Sequence, residues 1–299
     1  MSTTESPRQG RQTDNLGLGT VYMLLSLAGY AFNALLISRM NTPGNHASPW
    51  VAMAVRGLIG LLTVQVLAPG VLRAGWKRLF TERLMFERGF IGTLGITGFY
   101  LTLGPLGAGK ATLINNSWSV FAAVMAAMML GEPLGFFRLG GLVIALVGLG
   151  MLLGVGWDIL ATIHWQEATA VAGAFFSAVA VVAIRQLSAT TSSALIYASQ
   201  CVFCFLMGLP VALGGFHTLT AGDWAWLCGA GVAVSLAQLA MTEGFRYLNV
   251  AAGGAFQMML PLVISGLSVW MFGEAFTSLQ VAGASLLLAG SLVAVIVRK

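Results

Sequence analysis

The chain of 299 residues is 58% hydrophobic and only 8% charged, and its mean hydropathy is +0.86. A soluble domain carries about 25% charged residues, which help to cover its surface. The formal charge of +5 comes from 15 Lys and Arg residues against 10 Asp and Glu residues. This composition argues against a soluble enzyme, a nucleic-acid-binding domain and a disordered chain. It indicates a multi-pass membrane protein.

The apolar stretches predict membrane-spanning helices in chain order. A helix needs about 20 mainly apolar residues to cross the hydrocarbon core, where backbone polar groups find no water. Connections between the stretches are short, so no soluble domain interrupts the bundle. The ten predicted spans lie at 16–38, 49–69, 88–105, 109–130, 137–155, 168–187, 191–213, 223–242, 250–272 and 277–297.

The basic residues predict the orientation, because Lys and Arg concentrate in short cytoplasmic loops. With a cytoplasmic tail at 1–15, only Arg39, Arg56 and Lys110 fall elsewhere. We therefore expect both termini on the cytoplasmic side of a bacterial-type inner membrane. The basic residues assigned to that side are Arg8, Arg11, Arg73, Lys77, Arg78, Arg83, Arg88, Arg138, Arg185, Arg246, Arg298 and Lys299.

A repeat with a fixed offset divides the chain into two halves, 16–157 and 158–299. Glu132 and Glu274 lie 142 residues apart, each after a glycine and each predicted to cap a helix or stabilise a loop. Because each half holds five spans, the second half starts on the opposite side of the membrane. The predicted fold is therefore an all-α integral membrane protein of ten helices in two inverted five-helix repeats, an architecture of secondary transporters. The same offset pairs Met129 with Met271, Gly131 with Gly273, Gly141 with Gly283, Leu146 with Leu288, and Gly148 with Gly290.

The two halves resemble the ten-helix EamA-type branch of the drug/metabolite transporter superfamily. That family carries, in each half, a short link, an Ala-rich helix start, a central Pro and a Gly-Glu pair before a Gln-x-x-Gly helix. Two positions depart from the pattern: Ser119 stands opposite Pro261, and Arg138 stands opposite Gln280. The matching segments are LGPLGAGKATLINNSWSVFAAVMAAMMLGEPLGFFRLGG and FRYLNVAAGGAFQMMLPLVISGLSVWMFGEAFTSLQVAG.

Arg56 is the only formal charge well inside a predicted span. A charge in lipid is costly, so the side chain should face protein or water. It is either a clamp for a substrate carboxylate or phosphate, or an arginine that extends to the interface or pairs with helix carbonyls. Lys110, at the start of the fourth span, is either part of a basic vestibule or an interfacial lysine.

A polar cluster at 115–119 lies in the fourth span, which the resemblance implies lines a central cavity together with the ninth. Asn115, Asn116 and Trp118 are substrate-binding candidates, because an amide in a lipid-buried helix needs a partner. Gln257 is the counterpart of Asn115 at the same offset. Pro261 leaves a carbonyl unpaired and is a candidate hinge.

The resemblance implies further cavity-lining helices, which carry polar or aromatic candidates. Asn33, Tyr100 and Gln238 are substrate-binding candidates, and Tyr30 is a gating candidate. Glu243 either pairs with Arg246 one turn later or carries the proton that couples transport.

The function class follows from these features and from the resemblance. We expect a secondary active transporter, in the first place an exporter, of a small polar metabolite such as an amino acid. The alternative is uptake or facilitated transport of a nucleobase, S-adenosylmethionine, a flavin or a sugar-type metabolite. We expect no enzymatic activity, cofactor, metal or nucleic acid. A monomer or weak homodimer in the bilayer is expected, with protons as a candidate coupling ion.

Overall fold

The computed structural model describes residues 15–40, 48–154, 164–264, 266 and 277–296, without the side chains of 35, 37–40, 103–104, 107–110 and 218. Within these ranges all regular secondary structure is helical, and no strand is present. The tail at 1–14 and Glu274 lie outside the described residues.

Thirteen α-helices have both ends within the described residues, and further helical residues at 260–264 follow α12. A π-helical turn, Glu87–Ile91, precedes α6, and a 3-10 turn, Phe216–Thr218, precedes α11. The helices are α1 Leu16–Met40, α2 Pro49–Leu67, α3 Val71–Gly75, α4 Arg78–Thr81, α5 Arg83–Phe86, α6 Gly92–Asn116, α7 Trp118–Leu130, α8 Phe136–Leu152, α9 Trp165–Leu187, α10 Ser193–Ala212, α11 Ala221–Tyr247, α12 Val250–Met258 and α13 Ser278–Ile296.

Helix length and apolarity agree with a multi-pass membrane protein. Two shorter apolar segments lie where the fifth and ninth spans were predicted: Phe136–Leu152, and Val250–Ile264, which begins with α12. Seven helical segments in the described residues are long and apolar enough to cross a membrane, one of which, Ala111–Leu130, combines the end of α6 with α7. The others are Leu16–Ala34, Pro49–Leu67, Trp165–Leu187, Ser193–Ala212, Ala221–Tyr247 and Ser278–Ile296. The count of ten stays a prediction.

The third and fourth predicted spans do not separate where the sequence placed the break. Helix α6 runs continuously through Pro105, and the helix ends instead at Asn116. Ser117 causes this end: its backbone N–H donates to the Ile114 carbonyl at 3.1 Å and its hydroxyl donates to the same oxygen at 2.6 Å. Proline removes one helical hydrogen bond, whereas the tighter turn at Ser117 ends the regular pattern.

Helices of one half pack mainly against helices of the other. The contact pairs are α1 with α11, α6 with α9, α2 with α10, α7 with α12, and α8 with α13. The 142-residue offset converts the α1–α11 pair into the α9–α6 pair and converts the α2–α10 and α8–α13 pairs into themselves. Two repeats related by a pseudo-two-fold axis produce this reciprocal arrangement.

The α8–α13 contact shows the reciprocity at single residues. A Cβ on Gly141 would lie 2.7 Å from the carbonyl oxygen of Gly290, and one on Gly148 would lie 2.7 Å from that of Gly283. Each pair converts into the other at the 142 offset, and the two helices run antiparallel. Close backbone approach at small residues holds helices together in lipid, where the hydrophobic effect between helices is absent.

Candidate functional site

A cavity of about 600 Å³ lies between the two halves, lined by residues from both of them. Its wall combines aliphatic side chains with amides, hydroxyls, aromatic rings and two guanidinium groups. A cavity of this size accommodates a small molecule. Ten residues predicted from the sequence line it: Tyr30, Asn33, Arg56, Tyr100, Asn115, Asn116, Trp118, Gln238, Gln257 and Pro261.

Two predicted candidates are not among the described lining residues. The Lys110 side chain lies outside the described part of the chain. Glu243 lies at the end of α11, where its carboxylate accepts a hydrogen bond from the Ser193 hydroxyl and pairs with Arg246 at 3.4 Å. The predicted intrahelical ion pair between Glu243 and Arg246 is therefore present. A role of Glu243 in proton coupling stays a prediction.

Hydrogen bonds between α1 and α11 hold one wall of the cavity. The Tyr30 hydroxyl donates to Gln238 Oε1 at 2.5 Å, and Asn33 Nδ2 donates to the Ala230 carbonyl at 2.8 Å. On the neighbouring α12, Gln257 Nε2 donates to Ser26 Oγ at 3.2 Å. The amides predicted to need partners in lipid thus find them on other helices, which fixes the shape of the wall.

The end of α6 places two asparagines at the cavity in different states. Asn116 Nδ2 donates to the Thr112 carbonyl of its own helix at 2.8 Å. Asn115 is only half-buried and makes no side-chain hydrogen bond to any residue that the structure describes. The Asn115 amide is therefore the freer of the two for a ligand, and the largely buried Trp118 ring lies beside it.

Arg88 lines the cavity together with Arg56, which corrects one sequence-based assignment. The sequence placed Arg88 at the cytoplasmic start of the third span and left Arg56 as the only charge well inside a span. The π-helical turn Glu87–Ile91 continues into α6 and carries Arg88 into the bundle, where it is only 2% exposed. Gly92 makes room one turn later, since a Cβ there would lie 2.8 Å from Arg88 Nη1.

The two arginines have few protein partners. Arg88 Nη2 donates to Gln200 Oε1 at 2.7 Å, but its buried Nε has no hydrogen-bond partner. Arg56, half-buried on α2, makes no hydrogen bond or ion pair in the described part of the chain. No described Asp or Glu lines the cavity. Each charge in such a place costs about 2.5–3.5 kcal/mol on insertion scales, which suggests that it serves a function.

An ion-pair cluster closes one end of the bundle, here called the Arg185 end. Arg185, at the end of α9, pairs with Glu132 at 2.8 Å and donates to the Phe245 carbonyl of α11 at 2.8 Å. The second carboxylate oxygen of Glu132 accepts from the backbone N–H of Val250, at the start of α12, at 2.8 Å. Glu132 thus caps a helix of the other half, a partner that its sequence position did not reveal.

The cavity extends from this cluster toward the opposite end. Ile184, next to Arg185 and fully buried, lines the cavity near the Arg185 end. Leu153, which follows α8, also lines it, although α8 begins at the Arg185 end and runs away from it. The described lining therefore spans most of the bundle's length, and the Glu132–Arg185 contacts lie beyond Ile184 at one end of it.

Comparisons with known proteins identify the family. The model of the EamA-like transporter family matches residues 17–154 and, a second time, residues 164–296. The chain belongs to the EamA-like transporter family. One solved crystal structure shares the fold, with a TM-score of 0.76 and 18% identity over 94% of this chain and 97% of its own. No curated protein matches this EamA-like chain in sequence.

Proposed function

We propose that this EamA-like protein is a secondary transporter that carries a small polar metabolite across the membrane by alternating access, with export of an amino acid or related compound as its first candidate activity. The observation that carries the proposal is the 600 Å³ cavity between the two halves, lined by polar groups of both. A site at the repeat interface becomes accessible to each side in turn when the halves rock against each other.

The contacts at the Arg185 end support this mechanism. The Glu132–Arg185 cluster joins the end of α7 to α9, α11 and α12, so separating these helices requires breaking a partly buried ion pair and a helix cap. A substrate that contacts both halves provides the differential binding energy that shifts such an equilibrium. We assign the Arg185 end to the cytoplasm and propose that its contacts close the cavity on that side, so that the described state is outward-facing.

Counterflow in proteoliposomes tests the proposal. Vesicles containing the full-length protein are preloaded in turn with amino acids, carboxylic acids, nucleobases, S-adenosylmethionine, flavin and sugars, and uptake of the same labelled compound is followed without an imposed gradient. A carrier exchanges its own substrate under these conditions. Exchange of one compound class above that of protein-free vesicles is the expected result.

A matched pair of tryptophan variants locates the pathway. Trp118→Ala removes a ring that lines the cavity, and we expect it to reduce counterflow by about tenfold or more, because a lost aromatic contact of about 1.4 kcal/mol corresponds to that factor. Trp165→Ala removes a ring that is 70% exposed at the start of α9 and should leave exchange unchanged. If neither the unmodified protein nor the variants exchange any of the compounds, although folded protein is present in the membrane, carrier function is contradicted.

A further inference from the structure

We infer that Arg56 and Arg88 form a paired binding site for the anionic group of the substrate, and that the cargo is a small organic anion bearing carboxylate or phosphate groups. The inference rests on the proposed transport function and narrows its substrate class. Acidic amino acids fall within this class, whereas compounds without an anionic group fall outside it.

The cavity carries positive charge without a counter-charge among its described lining residues. Two guanidinium groups line it, and within the described chain no carboxylate does. Both groups line the same cavity, and like charges that face one cavity repel each other. A bound anion removes this repulsion and replaces the missing counter-charge, whereas a cation or a neutral compound does neither.

Both arginines have hydrogen-bond donors to spare. Arg88 is 2% exposed, and its buried Nε has no partner. Among the described residues, its side chain bonds to the neutral amide oxygen of Gln200 through Nη2. Buried polar atoms in native proteins are nearly always satisfied, so an unpartnered donor on a residue that lines the cavity is available to a bound anion. The planar fork of arginine matches carboxylate and phosphate oxygens in a bidentate manner.

A purely structural role explains Arg88 poorly. Gln200 offers it one neutral acceptor, so the charge of Arg88 has no counter-charge from this partner. The buried Arg185 shows what a structural arginine looks like in this protein, since it pairs with Glu132 and donates to two backbone carbonyls.

Binding to the purified full-length protein tests the inference without requiring transport. The probes are succinate and inorganic phosphate as anions, succinamide as the neutral compound with the skeleton of succinate, and 1,4-diaminobutane as the cation. Affinity is measured by calorimetry and by the shift in thermal unfolding. We expect both anions to bind and stabilise the protein, and succinamide and diaminobutane to do neither.

Two glutamine variants, their two lysine counterparts and one control variant identify the site. Arg56→Gln and Arg88→Gln should each weaken anion binding by about tenfold or more, the usual loss for a charged hydrogen bond. The lysine versions keep the charge but lose the fork and should retain part of the affinity. Arg83→Gln serves as the matched control, because Arg83 is exposed and pairs only with Glu87 one turn away.

The outcomes separate this inference from the transport proposal. Absence of anion binding at about 10 mM, well above the usual range of KM values, overturns the paired anion site. Equal binding of succinate and succinamide overturns it as well, as does unchanged affinity in both glutamine variants. If counterflow of a neutral compound succeeds meanwhile, transport stands and the anion site fails. If anions bind but no compound is exchanged, the site stands and transport fails.

Discussion

Asn115 and Asn116 are neighbours in the chain and line the same cavity, but only one of their side-chain amides is hydrogen-bonded within the described residues. Asn116 already donates to the Thr112 carbonyl at 2.8 Å, whereas Asn115 has no partner among the described residues. We predict that Asn115→Ala raises the KM for the transported compound about fivefold, the value of one ordinary hydrogen bond, with little change in protein stability. Concentration-dependent counterflow measures this. An unchanged KM would remove Asn115 from the binding site.

The sequence identifies cavity residues where a polar side chain stands within an apolar stretch, because its buried surroundings can then be inferred. Asn33, Gln238 and Gln257 stand out because an amide within an apolar stretch must find a partner, and the structure places all three at the cavity. Arg88 does not stand out, because a charge at the first position of a span is indistinguishable from a loop charge. Only the continuation of the helix through Glu87–Ile91 brings it inside.

At the scale of helices, the Glu132–Arg185 pair ties the start of α12 to the end of α9. We predict that Glu132→Gln increases hydrogen exchange at the first amides of α12 by about fivefold or more, because the Val250 N–H then has a neutral acceptor at best, and hydrogen bonds to charged groups contribute about 1 kcal/mol more than neutral ones. Hydrogen-exchange mass spectrometry of the protein in nanodiscs gives this rate.

The matched control for this change is Glu82→Gln. It breaks an exposed pair with Arg78 one turn away, and pairs of this kind contribute about 0–1 kcal/mol. Equal exchange in the Glu132 variant and the unmodified protein would mean that the pair does not hold the Arg185 end closed.

The packing of α8 against α13 allows a second prediction at this scale. A Cβ on Gly148 would lie 2.4 Å from the backbone nitrogen of Leu287, whereas one on Gly140 would meet no atom within 4 Å. Gly148→Ala should therefore lower the free energy of unfolding by about 1–3 kcal/mol, the cost of overpacking. Gly140→Ala should leave it unchanged or raise it slightly, since alanine favours helix. Thermal unfolding in detergent compares them, and equal stability of the two variants would contradict the close contact.

Helix positions followed from the sequence because lipid requires long, uninterrupted apolar stretches, and that requirement is visible in the residues themselves. The end of α6 did not follow, since it depends on the Ser117 side chain competing for the Ile114 carbonyl. The repeat gave the one indication of helix pairing in the sequence: glycines 141 and 283, and glycines 148 and 290, are each related by the 142-residue offset. Their contacts in space required the fold.

For the molecule as a whole, the distribution of basic residues predicts the orientation in the membrane. Arg78 bonds to Thr191 at the Arg185 end, so the basic segment between α2 and α6 lies at the same end as Arg185 and Arg246. Positive charge marks the cytoplasmic side, so we predict that the Arg185 end faces the cytoplasm and the opposite end of the cavity faces outside.

Single cysteines at exposed turns test this orientation. In a background where Cys201, Cys204 and Cys228 are replaced by alanine, Gly214→Cys should react with a membrane-impermeant maleimide on intact cells, and Ala189→Cys should react only after the cells are opened. Gly214 follows α10 at the far end, whereas Ala189 lies between α9 and α10 beside Arg185. The reverse pattern would place the Glu132–Arg185 cluster outside. The described state would then be inward-facing, and the anion site would be open to the cytoplasm.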